Sequence, residues 1–153
     1  MPAIRNLIRL VSFSLLCSAL LFAFAERVAA QTPKTCVLTV HVTEIQNANG
    51  NLLVMVRRDA NTVIETRTIE IDPKTLTAQA VFQNLPEGSY GVTVIHDENK
   101  NGQLDFNAMG MPVEGYGHSN NPEKKPGPPN FDETKFQVAA PGPSIEIKLI
   151  YWP

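Results

Sequence analysis

The stretch Asp97-Glu98-Asn99-Lys100-Asn101-Gly102-Gln103-Leu104-Asp105 sets oxygen-bearing side chains at alternate positions and a glycine at the sixth. In a calcium loop of this spacing, the side chains at one, three and five, the carbonyl at seven and a group at nine converge on one hard cation. Asp97, Asn99, Asn101, Gln103 and Asp105 hold those positions here, and Gly102 stands where the chain turns sharply and a Cβ is costly. The bidentate glutamate of a full twelve-residue EF-hand loop is missing, because Ala108 occupies its place and no helix-loop-helix pattern flanks the run. Glu114 is the nearest later carboxylate able to fold back. With Asp97 and Asp105 as the only anions at ligand positions, a dissociation constant of about 0.1 to 1 mM is expected, which suits extracellular calcium. The same residues also describe a solvated turn, since Asn-Gly is a strong turn signal and Asp and Asn bond their own backbone.

Two further chemistries compete for the neighbouring residues. His96, His118 and Glu114 are suitable zinc ligands, and a metal-dependent enzyme would use the two histidines. No tight ligand spacing accompanies them, and His96 serves equally as a hydrogen-bonded brace for the loop. Ser119 lacks the G-x-S-x-G context of an activated nucleophile. The favoured role is binding, without catalysis. A calcium-stiffened loop would present Tyr116, His118, Asn120 and Asn121 to a glycan or a surface protein, with rings stacking on sugar faces and amides bonding hydroxyls. In the opposing, purely structural role, the glycines and asparagines only supply backbone with positive φ.

The compartment follows from the first residues. Arg5 and Arg9 precede an apolar run from Leu10 to Phe24, and Val28-Ala29-Ala30 supplies small residues before Gln31. This pattern predicts a secretory signal peptide over 1–30, cleaved after Ala30 with Ala25 as the alternative. The run is shorter than a membrane span and ends in Glu26 and Arg27. Leu16 before Cys17 argues against lipid attachment. The protein is therefore expected in the periplasm or outside the cell, with no transmembrane segment after processing.

Of the 153 residues, 123 then remain as residues 31–153, enough for a single domain. They carry ten Lys plus Arg against fourteen Asp plus Glu, a formal charge of 10 − 14 = −4, and contain no basic stripe to neutralise phosphates, so nucleic acid is not an expected partner. Cys36 is then the only thiol, which excludes an intramolecular disulfide, and its apolar neighbours point to a buried, inert sulfur.

Short segments rich in Val, Ile, Thr, Phe and Tyr, separated by Gly, Pro, Asn and Asp, predict an all-β domain. Strands are expected near Cys36 to Gln46, Leu52 to Arg57, Val63 to Ile71, Ala78 to Phe82, Tyr90 to Val94, Lys135 to Val138 and Ile145 to Tyr151. A hairpin at Asn49-Gly50 would pair the first two. Seven antiparallel strands suit a Greek-key sandwich, immunoglobulin-like or transthyretin-like, with one long loop from Phe106 to Asp132. Phe106, Tyr116 and Phe131 are the residues expected to pin that loop, against the disorder that its Pro and Gly content favours.

Two resemblances extend this. Phe82-Gln83-Asn84-Leu85-Pro86-Glu87-Gly88-Ser89-Tyr90-Gly91-Val92 resembles the F-x-x-L-P-x-G-x-Y-x-V signature of transthyretin-like and carboxypeptidase-regulatory-like sandwich modules. LPEGSYGVTVIHDENKNGQLD, GMPVEGYGHSNN and PPNFDETKF, in that order, are similar to the exported bacterial proteins grouped as domain of unknown function 2141. The resemblance implies an extracytoplasmic sandwich module and leaves its ligand open. Transthyretin-like hydroxyisourate hydrolases carry a C-terminal Tyr-Arg-Gly-Ser motif, whereas this sequence reads Ile150-Tyr151-Trp152-Pro153 at that end.

Overall fold

The computed structural model describes residues 34–125 and 127–153; the expected signal peptide lies outside them. Eight strands and one short helix follow in order: β1 (Thr35–Thr43), β2 (Asn51–Arg57), β3 (Val63–Ile69), β4 (Ala78–Pro86), β5 (Gly88–Asp97), β6 (Tyr116–His118), α1 (Phe131–Thr134), β7 (Phe136–Val138) and β8 (Ser144–Lys148). Alternation along each strand decides its facing. Cys36, Leu38, Val40 and Val42 of β1 are buried while His41 is exposed. Leu52, Val54 and Val56 of β2 and Tyr90, Val92 and Val94 of β5 likewise point inward. These residues, with Phe82, Leu85 and Ile147, form a single core between two sheets.

One sheet has the order β4-β1-β8 and the other β3-β2-β5-β6. Strand β5 is the hub of the second sheet. One edge pairs antiparallel with all of β2, from Asn51↔Asp97 to Arg57↔Gly91. Its other edge is shared, with β7 against Gly88 to Tyr90 and β6 against Thr93 to Ile95. Among the described residues, no helix is long and apolar enough to cross a membrane.

Three features depart from the sequence expectation. First, Asn49-Gly50 does not close a hairpin: β1 and β2 lie in different sheets. Both strands have one strongly apolar face, and crossing between layers lets those faces meet in the core. Gly50, at φ 67°, is required there because a Cβ would run into the Asp97 carbonyl. Second, the strands are not all antiparallel. Strand β8 pairs parallel with β1, Val40 against Ile145 and Val42 against Ile147. A parallel pair is made through a distant crossover and leaves no local turn signal. Third, the eighth strand, β6, lies inside the long loop. It is three residues long, too short for alternation to reveal.

That loop is largely paired. A small turn brings Phe106 opposite Pro112, with Asn107 N–H donating to the Met111 carbonyl at 2.9 Å. Phe131 opens α1, which lies flat on β5 because Gly91 has no side chain; a Cβ there would sit 3.0 Å from the Phe131 ring and 3.1 Å from Thr134 Oγ1. Tyr116 and Phe131 are half-buried, whereas Phe106 is 58% exposed. Strand β4 also runs four residues past its expected end, through a bulge where Cys36↔Leu85 is followed by Leu38↔Phe82 and Asn84 takes φ 60°.

Core packing sets the stability. Phe82 is fully buried, so Phe82→Ala is expected to lower the unfolding free energy by about 3 to 5 kcal/mol in urea titrations. Val37→Ala, on the outward face at 42% exposure, should change it by less than about 0.5 kcal/mol. Equal losses would contradict the assigned facing of β1 and β4.

Candidate functional site

The end of β5 delivers Asp97 directly into the oxygen-rich loop. Asp97 is 1% exposed, and its carboxylate accepts from Asn101 N–H at 2.9 Å and Gly102 N–H at 2.8 Å, winding the backbone around it. The Asn99 and Asn101 side-chain amides both reach Asp105 Oδ2, at 2.6 and 2.9 Å. Asn99 Oδ1 accepts from Asn101 N–H, and Asn101 Oδ1 accepts from Gln103 N–H. Four side chains at alternate positions therefore converge. Glu114 does fold back: Oε1 accepts from Glu98 N–H at 2.9 Å and Oε2 from Asp105 N–H at 3.1 Å, tying the first and last turns together. The Glu98 side chain leaves in the other direction and accepts from Asn47 Nδ2.

His96 is fully buried on the core face. Its Nε2 lies 2.8 Å from the Asn49 carbonyl, which can only accept, so Nε2 carries the proton. Nδ1 then accepts from the Tyr151 hydroxyl at 2.8 Å. Burial raises the Tyr151 pKa above its ordinary value of 10, which keeps that hydroxyl protonated. His118, by contrast, pairs with Thr93 in register and bonds Thr93 Oγ1 through Nδ1 at 3.2 Å. Thr93 and His96 are three positions apart on one strand, so the two imidazoles lie on opposite faces of the sheet. A zinc centre from His96, His118 and Glu114 is therefore not assembled, and no cluster of three or more His, Cys, Asp or Glu able to hold a metal occurs among the described residues. Ser119 is also structural: its hydroxyl accepts from Val92 N–H at 2.8 Å and bonds the Thr134 carbonyl, fastening α1 to β5.

The outward face of β2 and β5 floors a cavity of about 500 Å³. Met55, Arg57, Thr93 and Ile95 form the floor. Phe106, Met111 and Phe131 from the long loop also line it, together with Tyr116, His118 and Trp152. Trp152 Nε1 donates to the Tyr116 hydroxyl at 2.8 Å, and the Lys124 ammonium sits 4.1 Å above the indole, so this wall is fixed. Two of the four loop residues singled out from sequence, Tyr116 and His118, thus face the cavity. Asn120 and Asn121 have other work. At φ 64° and 46°, they bond backbone: Asn120 Nδ2 reaches the Glu133 and Lys135 carbonyls, and Asn121 bridges the Glu146 carbonyl and Lys148 N–H. The floor residues and Trp152 escaped sequence reasoning. A signal existed, since Leu52-Leu53-Val54-Met55-Val56 is apolar without alternation, as in a strand covered on both faces.

His118 is neutral at ordinary pH. Burial, and then the positive charge of Arg57, lower its pKa from 6.5 to about 4. The unfolded chain takes up a proton near pH 6.5 that the folded chain refuses, so His118 favours folding above that pH and the benefit is lost as pH falls toward 4. Its edge still meets solvent, which softens the effect. Between pH 7.5 and 5, the native protein should lose about 1 to 2 kcal/mol more than His118→Gln does in parallel urea titrations. An imidazole resonance of His118 titrating near 6.5 in the folded protein would contradict the burial argument.

The family described as "Uncharacterized protein conserved in bacteria (DUF2141)" matches residues 40–146, which run from within β1 to within β8 and include the oxygen-rich loop and the cavity lining apart from Trp152. No curated protein and no solved structure matches the chain. With well over half of its 153 residues matched, the chain belongs to the DUF2141 family.

Proposed function

We propose that this protein is an exported binding module that holds a small ligand in the cavity between the β2–β5 face and the long loop, with calcium stiffening the loop at one side. The observation that carries this reading is the cavity itself. Its volume of about 500 Å³ and mostly apolar walls with a few convergent polar groups are the usual features of a small-molecule site. A glycan or surface protein was the partner expected from sequence. The inward orientation of Tyr116 and His118 favours a molecule small enough to enter over a broad surface partner, and a single sugar ring on Trp152 is the form in which a glycan would fit. The two-sheet fold is read as a Greek-key sandwich in which β4 returns beside β1 after the β2–β3 hairpin.

Calcium is supported by the donor set. Asp97 and Asp105 carboxylates, the Asn99 and Asn101 amides and the Gln103 carbonyl are all oxygen donors, as a hard cation prefers. Two of the four or so acceptor positions on the Asp97 carboxylate are used by backbone, leaving others free. Glu114 is placed to join as a further ligand or to brace the loop as it does now. When bound, the ion supplies positive charge and cross-linking, and no chemistry on the ligand is implied.

One thermal-unfolding series tests both parts. Calcium at ten times its dissociation constant adds about 1.4 kcal/mol, a melting shift of a few degrees, and Asp97→Ala should abolish the shift while Glu98→Ala keeps it. Identical melting in calcium and in chelator would leave the loop as a turn only. Indole and other flat apolar probes should raise the melting temperature, and Ile95→Trp, which fills the floor, should remove that response. If no probe shifts melting, or Ile95→Trp responds equally, the binding reading fails. Export is tested by N-terminal sequencing: the mature chain is expected to begin at Gln31, and a retained Met1 would refute it.

A further inference from the structure

Among the described residues, the cavity is lined by one cation, Arg57, and by no anion. Strand alternation that sends Leu52, Val54 and Val56 inward places Arg57 outward, where its guanidinium lines the floor near His118. Among the described residues, the guanidinium makes one hydrogen bond, from Nη1 to the Ala60 carbonyl at 3.1 Å, and takes part in no ion pair. Its Nε–H is closed off from solvent and has no partner. No Asp or Glu lines the cavity. Arg57 is half-buried in a mostly apolar lining, and a donor closed off from solvent there without a counter-charge is costly unless a ligand supplies the partner. The other arginines among the described residues differ: Arg67 pairs with Glu65, and Arg58 bonds the Tyr90 hydroxyl.

We propose that the cavity is selective for a small amphipathic monoanion: an apolar body, flat or chain-like, ending in one carboxylate that meets Arg57. The inference rests on the cavity being a ligand site and adds the chemical class of the ligand. The guanidinium fork matches a carboxylate in shape and charge, and most of its N–H groups have no protein partner. The apolar body then lies over Ile95 with Phe106, Tyr116 and Trp152 around it. A single positive charge matches a single negative one; a doubly charged phosphate would be left half-compensated. His118 is consistent with this, because its imidazole remains neutral beside Arg57 and offers a hydrogen bond without a second charge.

Trp152 is the only tryptophan in the chain and lines the cavity, so its fluorescence reports occupancy. The test titrates 4-phenylbutyrate, 4-phenylbutanol and 4-phenylbutylamine into the purified chain, in chelator so that the loop cation does not contribute, with calorimetry as a second readout. The acid is expected to bind about tenfold more tightly than the alcohol, and the amine most weakly, as a charge-assisted hydrogen bond in a partly dry site should produce. Arg57→Gln should bring the acid to within twofold of the alcohol, and Arg57→Lys should keep part of the preference. Equal binding of acid and alcohol to the native chain, or an unchanged preference in Arg57→Gln, overturns the anion inference and leaves the cavity as a ligand site. Failure of all three probes to bind overturns both.

Discussion

Everything of functional interest is arranged by the two-residue period of strand β5. A strand between two neighbours in a sheet has no freedom to rotate, so each of its residues is committed to one face. Val92, Val94 and His96 go to the core, Thr93 and Ile95 go to the cavity floor, and Asp97 starts the oxygen-rich loop. A slip of one residue would send His96 into the cavity and Ile95 into the core, and would turn the Asp97 carboxylate away from the amides of Asn101 and Gly102. The register is held from both edges, by β2 from Gly91 to Asp97 and by β7 and β6 in succession.

The buried His96 locks that register to the rest of the chain. Its two ring nitrogens are used by Asn49, in the crossing between β1 and β2, and by Tyr151, beyond β8, and its own N–H donates to the Gly115 carbonyl at 2.7 Å. This one residue thus ties β5 to the β1–β2 connection and the C-terminal segment through its ring and to the long loop through its backbone. Tyr151 in turn accepts from Gln46 N–H at 3.3 Å, so no polar atom of the pair is left without a partner. This explains why a histidine can be fully buried in an apolar core without acting as a metal ligand.

How much of this was legible in the sequence depended on whether the signal was local. The alternation of β1 and β5, the oxygen pattern from Asp97 to Asp105 and the fold-back of Glu114 depend on near neighbours, and each has a visible spacing. The layer change at Asn49-Gly50 and the parallel pairing of β8 with β1 depend on which apolar faces meet, and a strong turn dipeptide gives no information on that. The cavity was legible only in part. Tyr116 and His118 attracted notice as exposed polar aromatics in a loop, whereas Arg57 and Met55 belong to a strand whose outer face gave no sign of chemistry beyond being too apolar for open solvent. Asn120 and Asn121 drew notice for the same reason, and their amides bond backbone carbonyls from a left-handed backbone, a use that spacing in sequence does not reveal.

The loop and the cavity are also mechanically continuous. Leu104 lines the cavity while its neighbour Asp105 closes the loop, and the Asp105 carbonyl accepts from Val113 N–H at 2.9 Å to begin the turn that carries Phe106 and Met111 over the cavity. Glu114 fixes both ends of the loop from the far side of that same turn. The segment carrying Phe106 and Met111 thus runs between Asp105 and Glu114, and Glu114 is buried next to Gly115, whose carbonyl accepts from His96 N–H. Phe106, Met109 and Val113, at 58%, 82% and 57% exposed, are apolar groups on this segment with little holding them in place other than its backbone. The floor, by contrast, is set by the pairing of β2 with β5.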